Sequence, residues 1–333
     1  MNLKRKLNRT ESYVFIALLL FALLVQIRSG QFFTGNNLVD LSRSLTIPAM
    51  FCIGELFVLI SGGIDVSFPS IAALSMYIVS TTMMDFTGNI LAFFLVGLLL
   101  GLTMGAINGF LVAKFNFPAM IVTLGTSSIF TGILNGVLGA HESPIPSQML
   151  ALGKAKLFSA YNPQLQINSD MPVTVLFFIA VVVVAWFILR YTKLGRGVYA
   201  IGGDINSARR AGYKVFWIQM FIYCFSGALA GFTGVARASM MLNCAPTNMV
   251  GMEMTVIAAC VLGGTKVTGG SGTITGVLLG MALMTVMSNS LILIGIPTYW
   301  QRVFTGMIII IGTGVSAYQV LLKQRKLSKK QEE

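Results

Sequence analysis

Apolar residues fall into ten stretches along the chain, at roughly 11–28, 45–62, 66–84, 90–113, 117–140, 171–190, 216–240, 252–264, 272–295 and 300–321. Most approach the length of about 20 residues that a helix needs to cross a bilayer. The ten-residue alternating segments of a transmembrane barrel are not seen. This pattern predicts an all-α polytopic membrane protein with about ten transmembrane helices. Two stretches are weak. The third begins VSFPS, which suits a broken or tilted helix, and the eighth holds only about twelve strongly apolar residues, enough for a half-span unless it runs through the polar residues before it. The first follows MNLKRKLNRT and has no small-residue cleavage site after it, so it reads as a retained helix and not as a leader.

Composition and charge sharpen this picture. Of 333 residues, 55% are hydrophobic and 10% charged, against about 25% charged in a soluble domain. The net charge of +12 would suggest nucleic acid in a soluble protein. In a membrane protein it reads as basic residues gathered on cytoplasmic loops, and no nucleic-acid partner is expected. With the N-terminus inside and ten crossings, seventeen of the 23 basic residues fall on the cytoplasmic side. Both basic tails then lie in the cytoplasm, residues 190–215 form the longest cytoplasmic loop, and 141–170 form the longest external one. The external loop, with its three prolines, is expected to be solvated and irregular. The cysteines Cys52, Cys224, Cys244 and Cys260 show no CxxC spacing and read as small apolar packing residues. The single histidine, His141, gives no basis for a metal site.

The chain also rhymes with itself. VLISGGIDVSFPSIAAL (58–74) and VLGGTKVTGGSGTITGVL (261–278) each join an apolar run, a glycine pair, a short polar break and a second apolar run. Both breaks begin on the cytoplasmic side. A single transmembrane domain over 1–333 is therefore expected to contain two related parallel bundles, at about 45–140 and 250–321, with a path between them. Gly97, Gly101, Gly105 and Gly109 recur every four residues, as do Gly272, Gly276 and Gly280, which puts each set on one helix face where backbones pack closely or slide.

Between two of the greasiest runs lies GRGVYAIGGDINSARRAGYKV (195–215), too polar to enter the membrane. Asp204 or Asn206 can cap a helix over Ile205–Ala211, and Gly212 can end it in the left-handed conformation. Gly195, Gly197, Gly202 and Gly203 allow tight turns on the way in. Arg209 and Arg210 suit the dipole of the last turn. Such a short basic helix fits a groove on another protein, the alternative being contact with anionic lipid headgroups.

This loop resembles that of bacterial ABC-importer permeases for ribose-type sugars and autoinducer-2, a branched group that also includes nucleoside permeases. LISGGIDVSFPS (59–70), NGFLVAKFNFPAMIVTLGT (108–126) and EMTVIAACVLGGTKVTGGSGTITGVLLG (253–280) carry the resemblance in order across nearly the whole chain. Pro69 departs from it, standing where the family often has glycine, and would stiffen the start of the third span. The resemblance implies a permease subunit of the bacterial inner membrane. Its partners would be a cytosolic ATPase that carries ATP and magnesium, an extracytoplasmic solute-binding protein, and a second copy or close paralogue. Gly195, Arg196, Gly202, Asp204, Ala208, Arg209 and Gly212 would contact the ATPase. The chain has no G-x-x-x-x-G-K-[ST] loop of its own, and GGTKVTGG lacks the spacing.

Ionisable residues inside spans are costly and call for a reason. Asp65 and Glu253 read as helix caps at a boundary, while Arg237 either snorkels outward or meets the binding protein. Glu55 lies near a span centre and either lines the path or pairs with a residue such as Lys266. A sugar path calls for hydroxyl and amide groups: Asn108, Thr123, Ser127, Asn135, Asn289 and Ser290 are candidates for pathway or gating, or for helix–helix hydrogen bonds. An ion-coupled transporter would carry carboxylates central to several spans, and a membrane enzyme would carry a catalytic constellation. Neither pattern is evident.

Overall fold

A computed structural model describes residues 10–162, 166–293 and 295–297, with isolated positions between 300 and 314. The basic N-terminal tail, nearly all of the tenth apolar stretch (300–321) and the basic C-terminal tail lie outside the described residues. In chain order the helices are α1 (Thr10–Ser29), α2 (Gly35–Ile60), α3 (Phe68–Thr82), α4 (Ile90–Phe115) and α5 (Ala119–Gly132), the last running into one π-helical turn at Ile133–Val137. Next come α6 (Ser147–Lys154), strands β1 (Lys156–Asn162) and β2 (Ile167–Pro172), and α7 (Thr174–Tyr191). Two short helices follow, α8 (Lys193–Gly203) and α9 (Ile205–Arg210), before α10 (Val215–Met241), α11 (Glu253–Leu262) and α12 (Ile274–Leu293).

Among the described residues, seven helical segments are long and apolar enough to cross a membrane, and α3 and the Pro246–Leu262 segment are shorter apolar helices. The protein is thus a largely helical polytopic membrane protein. Several expectations shift. The second span begins ten residues early, at Gly35, because the Thr34 hydroxyl accepts from the Asn37 amide and caps the helix there. The stretch 141–170, expected to be an irregular external loop, is built: α6 leads into an antiparallel hairpin, Ser159 facing Asp170 and Tyr161 facing Asn168. The fold is therefore not purely α. Phe158 and Tyr161 supply aromatic side chains of the kind that favour strand pairing. Pro69 sits in the first turn of α3, where a missing N–H costs nothing, so the helix starts there without distortion.

The centre of the molecule is α2, buried continuously from Ala49 to Ile60 and packed by α10, α12, α7 and α11. Lipid-facing helices look different. On α1, Leu20, Leu23, Leu24 and Ile27 are exposed. Apolar side chains gain little by leaving lipid for protein, so close backbone packing must hold such helices together. The α4–α10 seam provides it. A Cβ on Gly101 would lie 2.1 Å from the Gly227 carbonyl oxygen, and one on Gly231 would lie 2.0 Å from that of Gly97. The same packing recurs between α11 and α12, where a Cβ on Gly280 would lie 2.1 Å from the Ala259 carbonyl oxygen.

Candidate functional site

The segment 190–215 folds into two helices where one was expected. The Thr192 hydroxyl accepts from the Gly195 amide and starts α8 a single residue after α7 ends. Gly195, Gly197 and Gly202 therefore lie inside a helix and do not form turns. Their purpose is close approach: a Cβ on Gly195 would lie 2.3 Å from the Ile188 carbonyl oxygen, and one on Gly202 only 1.7 Å from that of Ile60. The second helix matches the expectation. Asp204 caps α9 by accepting from the Ser207 amide at 2.6 Å, and the Ser207 hydroxyl and amide hold its carboxyl below the usual range, keeping the cap anionic. Gly212 turns left-handed at φ +86°, with its amide donating to the Arg209 carbonyl. Ala208 is buried beneath α9, while Arg196, Arg209 and Arg210 project into the open. The pair thus presents a basic face on a firmly seated base.

That base joins two breaks in the bundle. The first, 61–67, separates α2 from α3, and the second, 263–273, separates α11 from α12. The Gly270 amide donates to the Ile60 carbonyl at 2.8 Å, binding one break to the end of the helix that leads into the other. The C-terminal end of α8 wedges against both, since a Cβ on Gly202 would also lie 2.7 Å from the Gly270 nitrogen. The Tyr199 hydroxyl donates to the Gly272 carbonyl at 2.8 Å. Burial pushes this phenol above its ordinary range, so it stays a donor.

The first break is filled by a buried polar network. Glu55 accepts from the Asp65 amide at 3.3 Å. The Asp65 carboxylate accepts from the Ser67 amide and hydroxyl at 2.7 and 2.6 Å. The Asn108 amide donates to the Ser67 hydroxyl at 2.8 Å, and Thr123 bridges the break by accepting from the Val66 amide and donating to the Ile64 carbonyl. Ser127 bonds Ser70 at 2.7 Å, one turn into α3. Five candidates named from sequence, Glu55, Asp65, Asn108, Thr123 and Ser127, therefore converge around the break and the start of α3. Others do not. Asn289 and Ser290 lie near the far end of α12, Asn135 is exposed, and no described hydrogen bond links any of the three to the network. Glu55 does not pair with Lys266, which is exposed. Among the described residues the only ion pair is Lys156–Asp170, at the surface of the hairpin. Asp65 orients the start of α3 from a fully buried position. Glu253 opens α11 and accepts from the Gly251 amide. Ser67 and Ser70 escaped notice in the sequence. Ser67 was the findable one, since a serine two residues after an aspartate commonly closes a local turn.

At the opposite end, hydrogen bonds between Ser143 and Cys244 in both directions join the 138–146 loop to the segment after α10. Arg43 donates to the Met240 carbonyl at 3.2 Å, a cation at a helix C-terminus. Asn36 and Asp40 tie the hairpin to α2 through Ser169.

Residues 37–312 match the family described as branched-chain amino acid transport system / permease component. The ribose import permease protein of Escherichia coli strain K12 is 32% identical over 296 residues, covering 89% of this chain and 90% of the relative. The L-arabinose ABC transporter permease protein of Azospirillum brasilense is 32% identical over 314 residues, covering 94% and 88%. An autoinducer 2 import system permease protein of Yersinia pseudotuberculosis is 30% identical over 304 residues, covering 91% and 83%. No solved structure matches.

Proposed function

We propose a function from one premise: the chain belongs to the permease-component family of branched-chain amino acid transport systems. It is a multi-pass transport permease of the ABC class and not an enzyme. In our reading it forms the membrane path of an importer for a monosaccharide or related polyol, the class named by its ribose and arabinose relatives. It lies in the bacterial inner membrane as two parallel bundles of about ten helices, both termini in the cytoplasm. An extracytoplasmic binding protein delivers the substrate to the hairpin end. A separate ATPase, which carries ATP and magnesium, binds α8 and α9, and a second copy or close paralogue completes the path.

One observation carries this reading. The basic α8–α9 face is seated by Gly202 against Ile60 and Gly270, so a push on it reaches both breaks without passing through a slack linker. ATP-driven closure at that face then moves the network of Glu55, Asp65, Asn108 and Thr123 together with the second break, which is what alternating access requires. The test is capture of the ATPase by tagged permease carrying Arg209→Glu. Capture should fall at least tenfold and uptake with it. Unchanged capture and uptake would end the claim that this face receives the ATPase.

A further inference from the structure

Where α10 ends, at the hairpin end of the molecule, lies a cavity of about 200 Å³ lined by Met76, Arg237, Met241, Asn243, Ala245 and Asn248. With 27 residues, α10 spans about 40 Å, so this cavity is far from α8 and α9. Its frame is braced. Paired backbone bonds between Ser143 and Cys244 fix the loop above it, Pro246 opens a 3-10 turn at its rim, and Arg43 ties down the end of α10.

Arg237 is the unusual member. Its side chain is half-buried, and among the described residues its guanidinium has neither an ion-pair nor a hydrogen-bond partner. A guanidinium carries five N–H donors in a fixed fork, which a ligand with several acceptors can engage together. Simple snorkelling would carry the head into open water and would not place it in a cavity wall. The other wall groups complete a recognisable set. The Asn243 amide nitrogen donates to Glu142, which leaves its carbonyl oxygen to accept. The Asn248 amide offers both functions, and Met76 and Met241 supply apolar faces. Donors, acceptors and a thioether surface together suit a ring that carries hydroxyls on its edge and C–H groups on its face. An inorganic anion would leave the amide acceptors unused and would be repelled by Glu142, which Asn243 holds beside the cavity. The volume is below the roughly 300–1,000 Å³ of sites for drug-sized ligands, which suits a single sugar ring.

We infer that this cavity is a receiving site for one monosaccharide on the permease itself, with Arg237 as its principal hydrogen-bond donor and Asn243 and Asn248 as its amide contacts. The inference rests on the sugar-import reading above and gives the permease a selectivity of its own, separate from that of the binding protein.

The test uses full-length permease in lipid nanodiscs without binding protein. Saturation-transfer NMR is run with D-ribose and L-arabinose, and phosphorus line widths are recorded with inorganic phosphate. The wild type should transfer saturation to the ring protons of at least one sugar and leave phosphate sharp. Arg237→Gln should weaken that sugar's binding about tenfold or more, the loss expected for a hydrogen bond from a charged donor, and Arg237→Lys should weaken it less. Asn248→Ala, at an exposed position that the fold tolerates, should weaken it too. Capture of the ATPase by each variant reports folding and tests the functional reading separately. No transfer to either sugar in a wild type that captures the ATPase, equal transfer in wild type and Arg237→Gln, or broadening of phosphate instead would each overturn the site while leaving the importer reading intact.

Discussion

The two breaks have similar outlines in sequence but are stabilised in different ways. In the first, 61–67, side chains of flanking helices hold the segment: Glu55 of α2 and Thr123 of α5 accept from its backbone, and Asn108 of α4 donates to the Ser67 hydroxyl. In the second, 263–273, the backbone also bonds within itself, besides the Gly270–Ile60 and Tyr199–Gly272 bonds to its neighbours. Lys266 donates to the Ser271 carbonyl, Gly269 donates to the Lys266 carbonyl, and Gly264, Gly269 and Gly270 all take positive φ. Asp65, Val66 and Ser67 of the first break are buried, whereas Lys266, Val267 and Thr268 of the second are exposed. A break held by its neighbours cannot open without stranding polar groups in an apolar interior. One that holds itself can move as a piece. In the proposed mechanism the second break would thus move as a piece, and the first only together with the helices that hold it.

Three experiments would break or sharpen that contrast. Asp65→Leu strands the Ser67 amide and hydroxyl and should cost about 3 kcal/mol, while Lys266→Leu, at the surface of the second break, should stay within about 0.5 kcal/mol. Thermal unfolding in detergent measures both, and equal losses would erase the distinction. Tyr199→Phe removes one bond between α8 and the second break and should cost about 1 kcal/mol. Its sharper readout is transport: ATPase capture should be unchanged while sugar moved per ATP falls about fivefold, and an unaltered ratio would uncouple Tyr199 from the mechanism. The smallest effect should come from Glu11→Gln. The Glu11 carboxylate accepts from Thr273 and Thr275 at the start of α12, and losing its charge there should cost about 0.5 kcal/mol, again by thermal unfolding.

The helices were legible in the sequence because apolar runs announce themselves, and α9 was legible because Asp204 and Gly212 mark its ends. The roles of the glycines were only half legible. Spacing revealed that Gly97, Gly101 and Gly105 share a face, and that face does meet α10. Gly125, Gly132 and Gly136 in and after α5 look no different in sequence, yet a Cβ on any of them would meet nothing within 4 Å. Glycine declares that a backbone can come close and says nothing about whether one does. The hairpin was missed because its strands are short and its prolines suggest a loop. The network was partly found because buried carboxylates are rare enough to stand out, but Ser67 and Ser70 were hidden by being ordinary. Which carboxylate meets which partner depends on contacts between residues far apart in the chain, such as Asn108 with Ser67, and no local pattern encodes those.

The four cysteines offer a practical opening. Cys52, Cys244 and Cys260 are buried, and Cys224 is half-buried. Cys260 donates its thiol toward the Cys52 carbonyl at 3.6 Å, deep between α2 and α11. Water-borne maleimides should therefore find little to react with in the native chain. A single new thiol at Leu157 on the hairpin or at Arg196 on α8 would report which side of the bilayer it occupies, with no need to strip the protein of its own sulfur first.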